Sequence, residues 1–309
     1  MGSTLNPLYD SLTGTSGRQR RETVVRNVFR AAAALSILVS ALIVVSLARE
    51  AWTFISQVEW ASLSTDGWFP RRGLYDIRTL VVGSLIVTAI AMVVAIPIGL
   101  GAAVFLAEYA PARLRRVLKP VLEVLAGIPS VVVGFFALTW ISPQVVQRFN
   151  DGATQSNLAA AAIGVGILTV PLIASISEDA MRSVPNALRE ASYGMGARKI
   201  TTTVRVVIPA AVSGLVAALI VAVSRAIGET MVVYIAAGAT GGSLFTTSPF
   251  EPGQTMTAAM AAQAAGTDAV RGAALTFQSL FFVGFLLFLI TLALNLVATR
   301  VVRRVRERY

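Results

Sequence analysis

Long apolar runs alternate with short polar stretches along most of the chain. Six runs approach or exceed the roughly 20 residues that a helix needs to cross a hydrocarbon core. They are about 29–47, 80–107, about 118–140, 158–176, about 210–237 and 278–298. The pattern predicts an all-α integral membrane protein with six transmembrane helices. The first run is long and begins well inside the chain. No clean small-x-small cleavage site follows it, so it is expected to be a retained anchor and not a signal peptide. Pro97, Pro129 and Pro171 fall within runs. A proline there removes a backbone hydrogen bond, and the freed carbonyls must face protein or a polar cavity. Two connecting stretches are long. The one at about 48–79 is expected to fold partly as an amphipathic element. The one at about 238–277 contains TMTAAMAAQAAG, an alanine-rich helix candidate.

Composition supports the membrane reading: 55% of residues are hydrophobic and 14% charged, against about a quarter charged in soluble domains. Cys and His are both absent, which removes disulfides, thiolate metal sites and the commonest metal ligand. Net charge is +10. If six spans place both termini in the cytoplasm, 19 of the 26 Lys and Arg residues fall inside, 6 fall outside, and Arg225 lies in the membrane. That asymmetry sets the orientation and accounts for the basic balance without nucleic acid.

Arg225 is the unusual residue. It stands with Glu229 in SRAIGETMVV (224–233), near the middle of the fifth run. A cation there costs about 3 kcal/mol on insertion scales. Glu229, one helical turn on, is a candidate to offset it. A guanidinium stays protonated and offers paired donors that match oxyanion oxygens. Ser224 and Thr230 are candidate neutral donors. They can equally bond to their own helix. Ser130, in Gly127-Ile128-Pro129-Ser130, suits a close-packed lining near a pathway. Two readings stay open. Arg225 lines a pathway for anions, or it forms a permanent ion pair with Glu229 or with Glu123 in the third run.

Residues 183–209 read SVPNALREASYGMGARKITTTVRVVIP. Ser183 is expected to cap a short helix with Pro185 in its first turn. Val184, Leu188, Ala191 and Met195 recur at helical spacing as one apolar stripe, and Gly194 and Gly196 end it. The segment resembles the coupling motif of ABC-importer permeases: Glu190-Ala191-Ser192, then Gly196, then nine residues, then Val206, Val207, Ile208 and Pro209. The third alanine of the motif is a serine here, its isoleucine a valine and its leucine an isoleucine.

The likeness extends over about 76–300. LAGIPSVVVGFF (125–136), PLIASISEDAMRSVP (171–185) and SRAIGETMVV are similar to stretches of the phosphate-importer permease family. Met231 after Gly-Glu-Thr resembles its C-type subunit. The resemblance implies a type I ABC-importer permease fold with both termini cytoplasmic. It divides the chain into a tail, anchor and external loop (1–75), a permease core with a coupling helix near 183–196 (76–300), and a basic tail (301–309). It implies a subunit that imports inorganic phosphate alongside a homologous A-type permease, with an external phosphate-binding protein, in the lipid of a prokaryotic plasma membrane. Two copies of a cytoplasmic ABC ATPase would dock at Glu190, Ala191, Ser192, Gly196 and Pro209. The chain has no G-x-x-x-x-G-K-[ST] sequence, so it is expected to be a transport subunit and no enzyme, with ATP and Mg on the partner and no cofactor or metal of its own. The alternatives are a permease for sulfate, molybdate or phosphonate, an ATP-independent anion channel or secondary transporter, and a membrane scaffold or sensor.

Overall fold

The computed structural model describes residues 16–238, 241–265 and 275–305. Arg271 and the tail residues Arg306 and Arg308 lie outside them. Residues up to Glu50 and residues from Ala51 onward form two separate compact units, a division that falls earlier than the expected one near 75. Among the described residues, six helical segments are long and apolar enough to cross a membrane: Arg20–Gln57, Ile77–Tyr109, Ser130–Phe149, Leu158–Arg182, Lys199–Ile227 and Thr276–Arg300.

The first helix, α1 (Ser16–Gln57), carries the first apolar run. Its last turns belong to the second unit, where Phe54 and Val58 pack with Trp68, Tyr75, Leu80, Met256 and Val283. Three short strands lie beside them: β1 (Gly67–Phe69), β2 (Leu74–Tyr75) and, from the far loop, β3 (Ser243–Leu244). β1 is the centre of this antiparallel sheet, with Trp68 opposite both Tyr75 and Ser243. The two long connecting stretches are therefore one folded cap. The sheet marks one end of the second unit.

From the sheet, α2 (Ile77–Val104) runs to the other end, started by Asp76, whose carboxylate accepts from Arg78 N. It closes with a wide π turn, Phe105–Tyr109, in which Ala110 N donates to Phe105 O. Parallel to α2 runs α5 (Leu158–Arg182), capped by Asn157. These two helices form the centre of the core. Methyl groups added at Gly99 and Gly166 would lie 2.7 Å from Ile173 Cβ and 3.0 Å from Ala91 O, so the glycines are what allows the close approach.

The third apolar run divides differently from expectation. Instead of one helix over 118–140, an amphipathic helix α3 (Ala112–Ala126) is followed by a break at Gly127–Pro129, and the span starts at α4 (Ser130–Phe136). Pro129 holds φ −58° and ψ 127°, an extended geometry with no N–H to give, and a helix does not pass through it. A long π segment (Ala137–Val146, with Pro143 inside) and a last turn (Gln147–Phe149) complete the span.

The fifth run is also shifted. It begins at α7 (Lys199–Thr202), passes a second π turn (Thr203–Val207) and continues as α8 (Ile208–Ile227). It stops at Gly228, and a short α9 (Met231–Ala236) resumes. Between α5 and α7 lies α6 (Asn186–Gly194). In the far loop α10 (Met256–Ala264) is capped by Thr255, as the alanine-rich stretch predicts. The last span lies in α11 (Thr276–Val305).

Candidate functional site

Arg225 sits in the last turn of α8. Its depth follows from how α8 and α9 run antiparallel to α5. A methyl on Gly214 would lie 2.5 Å from Ala180 Cβ, and one on Gly164 3.0 Å from Val232 Cγ1. Asn157 N donates to Ala236 O at 3.1 Å. Residue 214 is thus level with 180, and 232 with 164, which sets Arg225 opposite the central turns of the 25-residue α5. Arg225 is thus level with the middle of α5, although the boundaries of its run moved.

The surroundings of Arg225 differ from expectation. Glu229 is not one turn along the same helix, because α8 ends at Ile227. No ion pair joins the two, and the Arg225 guanidinium makes no hydrogen bond to any described residue. Nor does Glu123 reach it. Glu123 is exposed on α3, outside the span, beside Arg115, Arg116, Lys119 and Arg182. The permanent-pair reading within this chain therefore fails. Val221, Arg225 and Gly228 are the exposed positions of this stretch, while Ala218, Ala222 and Ala226 are buried on the opposite side. At spacings of four and three they share one face.

Both helix breaks come close to this level. A methyl on Gly134 would lie 3.1 Å from Ile235 Cδ1 and 3.2 Å from Met231 O, so the first turns of α4 and α9 run side by side. Ser130 begins α4 and Thr230 directly precedes α9, and both are half-buried, as is Glu229. The Thr230 hydroxyl turns back to Gly228 O (3.2 Å), and Ser224 Oγ donates to Asn295 Oδ1 at 3.4 Å. Thr257, in α10, donates to the Glu229 carbonyl (2.8 Å), and Met256 N donates to Ser84 Oγ on α2 (3.0 Å). The cap therefore reaches into the break. Asn295 and Thr257 carried no signal in the sequence, since their roles depend on contacts 71 and 28 positions away, respectively.

The second candidate site is α6, at the end opposite the sheet. Ser183 is not its cap. The Ser183 hydroxyl donates back to Ala180 O (2.7 Å), finishing α5, and α6 starts after Pro185. Nor is the apolar stripe continuous: Val184 is buried and Leu188 packs beside it, but Met195 is 89% exposed. Glu190, Ala191 and Tyr193 are also exposed, and Glu190 forms no ion pair with a described residue. Gly196 ends the element at φ 77°, a conformation that favours glycine. Ser192 meets Thr202 at 2.8 Å between hydroxyls, folding α6 onto α7. Pro209 is exposed in the first turn of α8.

This end carries charges that hydropathy alone does not single out. Glu178 is fully buried, with Lys119 Nζ at 2.7 Å and Arg182 Nη1 at 3.4 Å, and Lys119 also binds Asp179. Burial works against the Lys119 ammonium, but its hydrogen bonds to Asp179 and Glu178 outweigh that and leave its pKa above the usual lysine value. The available signal was acids (Glu108, Glu178, Asp179) at the ends of apolar runs, next to basic segments.

The family model described as "Binding-protein-dependent transport system inner membrane component" matches residues 95–307. The phosphate transport system permease protein PstC of Mesorhizobium japonicum is 32% identical over 297 residues, 90% of this chain and 89% of that one. The probable ABC transporter permease protein YqgH of Bacillus subtilis is 37% identical over 204 residues, 66% of this chain and 63% of the relative, so that match spans less than two thirds of it. Among solved structures, a bacterial ABC transporter involved in the import of the acidic polysaccharide alginate superposes with a TM-score of 0.63 at 14% identity, covering 94% of this chain and all of that one. The last likeness establishes the fold.

Proposed function

The chain belongs to the family of binding-protein-dependent transport system inner membrane components, and on that premise we propose that it is a permease subunit importing inorganic phosphate into a prokaryotic cell. It works as the C-type half of a pair with a homologous A-type permease. An external phosphate-binding protein delivers the ion at the sheet end. Two ATPase subunits, holding ATP and Mg, dock on α6 in the cytoplasm through Glu190, Ala191, Tyr193 and Met195, with Gly196 shaping the end of the element. The naming of the PstC relative supports the cargo.

Arg225 is the observation that carries the pathway. Its guanidinium lies level with the middle of α5, has no partner among the described residues and sits on an exposed face. Hydrocarbon does not solvate such a group, so the Val221–Arg225–Gly228 face meets a second protein surface and the aqueous route between them. Phosphate entering that route accepts from the guanidinium. Ser130 and Thr230, beside the breaks, add neutral hydroxyls to the same route. The free Glu229 carboxylate repels an anion at close range, and that keeps binding weak enough for release.

Radiolabelled phosphate uptake decides the reading. Arg225→Gln should abolish uptake while the variant still assembles with the ATPase. Glu190→Ala should lose uptake through weakened assembly or coupling. Normal uptake by Arg225→Gln at normal protein level overturns the pathway role. No uptake of labelled phosphate by the unmodified complex, with uptake of labelled sulfate, molybdate or phosphonate instead, overturns the cargo.

A further inference from the structure

The π turn that closes α2 holds both sides of the coupling segment with two adjacent residues. On one side, Arg189 of α6 donates to Glu108 Oε1 through Nε (3.3 Å) and Nη2 (2.9 Å). On the other, the Lys199 ammonium at the start of α7 lies 5.0 Å from the centre of the Tyr109 ring, within cation–π range. Gly196, at positive φ, forms the bend between these two contacts.

Arg189 is also tied to α5. Its Nη1 donates to Val184 O (2.6 Å) and to Asn186 Oδ1 (3.4 Å), and its Nη2 donates to Met181 O (2.8 Å). The side chains of Arg189 and Glu108 are 13% and 3% exposed. The guanidinium is thus pinned by a carbonyl at the end of α5, by one in the connection after it and by a carboxylate of the π turn that closes α2, with each nitrogen engaged. An ammonium has no planar fork and cannot make this set of bonds. The turn itself matters too. An i→i−5 turn inserts one residue into the helix, and with that insertion the consecutive residues 108 and 109 reach opposite sides of the segment.

We propose that this clamp, Glu108 with Arg189 and Tyr109 with Lys199, is the linkage that carries movement of α6 into α2, and that Glu108 and Arg189 are positioning residues for coupling. The inference rests on the permease reading above. Without the clamp, α6 is held by the packing of Leu188 and the Ser192–Thr202 contact, between exposed turns at Pro185 and Gly196. With the clamp it moves α2, which is packed along α5, and so displaces the core opposite the Arg225 face. The linkage is the path by which events at α6 reach that face.

The test uses the complete complex of both permeases and the ATPase in proteoliposomes, with phosphate-loaded binding protein outside. Phosphate moved and ATP hydrolysed are measured together. For Glu108→Gln and for Arg189→Gln we expect phosphate moved per ATP to fall about tenfold, a coupling loss of ordinary size, while the ATPase retained per complex equals that of the unmodified protein. The double variant should lose no more than the worse single one, because both remove one linkage. Glu108→Asp should recover part of the ratio. An unchanged ratio overturns the proposal. So do losses that multiply in the double variant, and so does loss of the ATPase from Glu108→Gln, which would make the pair an assembly contact. An unmodified complex that hydrolyses ATP on addition of the loaded binding protein but moves no phosphate would sink the cargo reading instead.

Discussion

Arg189 and Arg225 are the same chemical group in opposite circumstances. Arg189 engages its nitrogens with a carboxylate, two backbone carbonyls and an amide oxygen, nearly out of solvent. Arg225 engages none of the described residues. The first is a joint and the second a contact waiting for a ligand or another chain. Arg225→Lys keeps the charge and loses the paired geometry, so it should retain membrane insertion while phosphate uptake falls at least about tenfold, since a good bidentate contact is worth more than 1.4 kcal/mol. Gly83 makes a different point. A methyl there would sit inside the contact radius of the Gln254 carbonyl, a backbone atom. Gly83→Ala should therefore push the cap off α2, readable as faster protease cutting within 241–265 at unchanged membrane insertion. The Lys119 site supplies a pH dependence with a definite sign. Its raised pKa means its contribution is complete below the ordinary lysine value and disappears only as pH rises through the folded one. The difference in melting temperature between the native protein and Lys119→Met should then be flat from about pH 7 to pH 9 and shrink only above about 10.4.

At the scale of elements, α6 offers a small exposed surface built around Met195. Met195→Asp should cut ATPase co-purification by about 30-fold or more, the loss of one interface anchor of about 2 kcal/mol, without lowering the amount of permease in the membrane. Runs two, four and six were legible in the sequence because each is one uninterrupted helix, and hydropathy averages see such helices well. Runs three and five were not. An average over 118–140 adds the apolar face of α3 to the apolar body of α4 and passes over Gly127 and Pro129, which separate them. The information was present locally: Arg113, Arg115, Arg116 and Lys119 mark a helix with a wet side, and Pro129 marks a start. For run five, Gly228 was the only local sign of a stop. The π turns left no trace at all, since one added residue changes spacing without changing composition. Glu190, Ala191 and Gly196 could be placed because an exposed coupling segment is defined by sequence-local spacing. The Arg189–Glu108 pair could not, because its members are 81 residues apart.

At the scale of the molecule, the face carrying Val221, Arg225 and Gly228 is unfinished. Val221 is 46% exposed on it. In membranes holding both permeases, Val221→Cys should crosslink through a short bifunctional maleimide to one of a set of single cysteines introduced along the spans of the second chain. A Cys at Val93, which is 74% exposed on α2 and well separated in sequence from that face, serves as the comparison. Crosslinking at Val93 and none at Val221 would place the partner on another face. The unpartnered guanidinium also has a bearing on how the cell handles the subunit before it is assembled. A chain synthesised without its mate exposes a cation where only acyl chains are available, at a cost of about 3 kcal/mol, and membrane quality-control proteases remove such orphans. Expressed alone, the subunit should be short-lived in a pulse–chase experiment. Arg225→Leu should outlast it, an inactive protein that is more durable than the working one until the second permease is supplied.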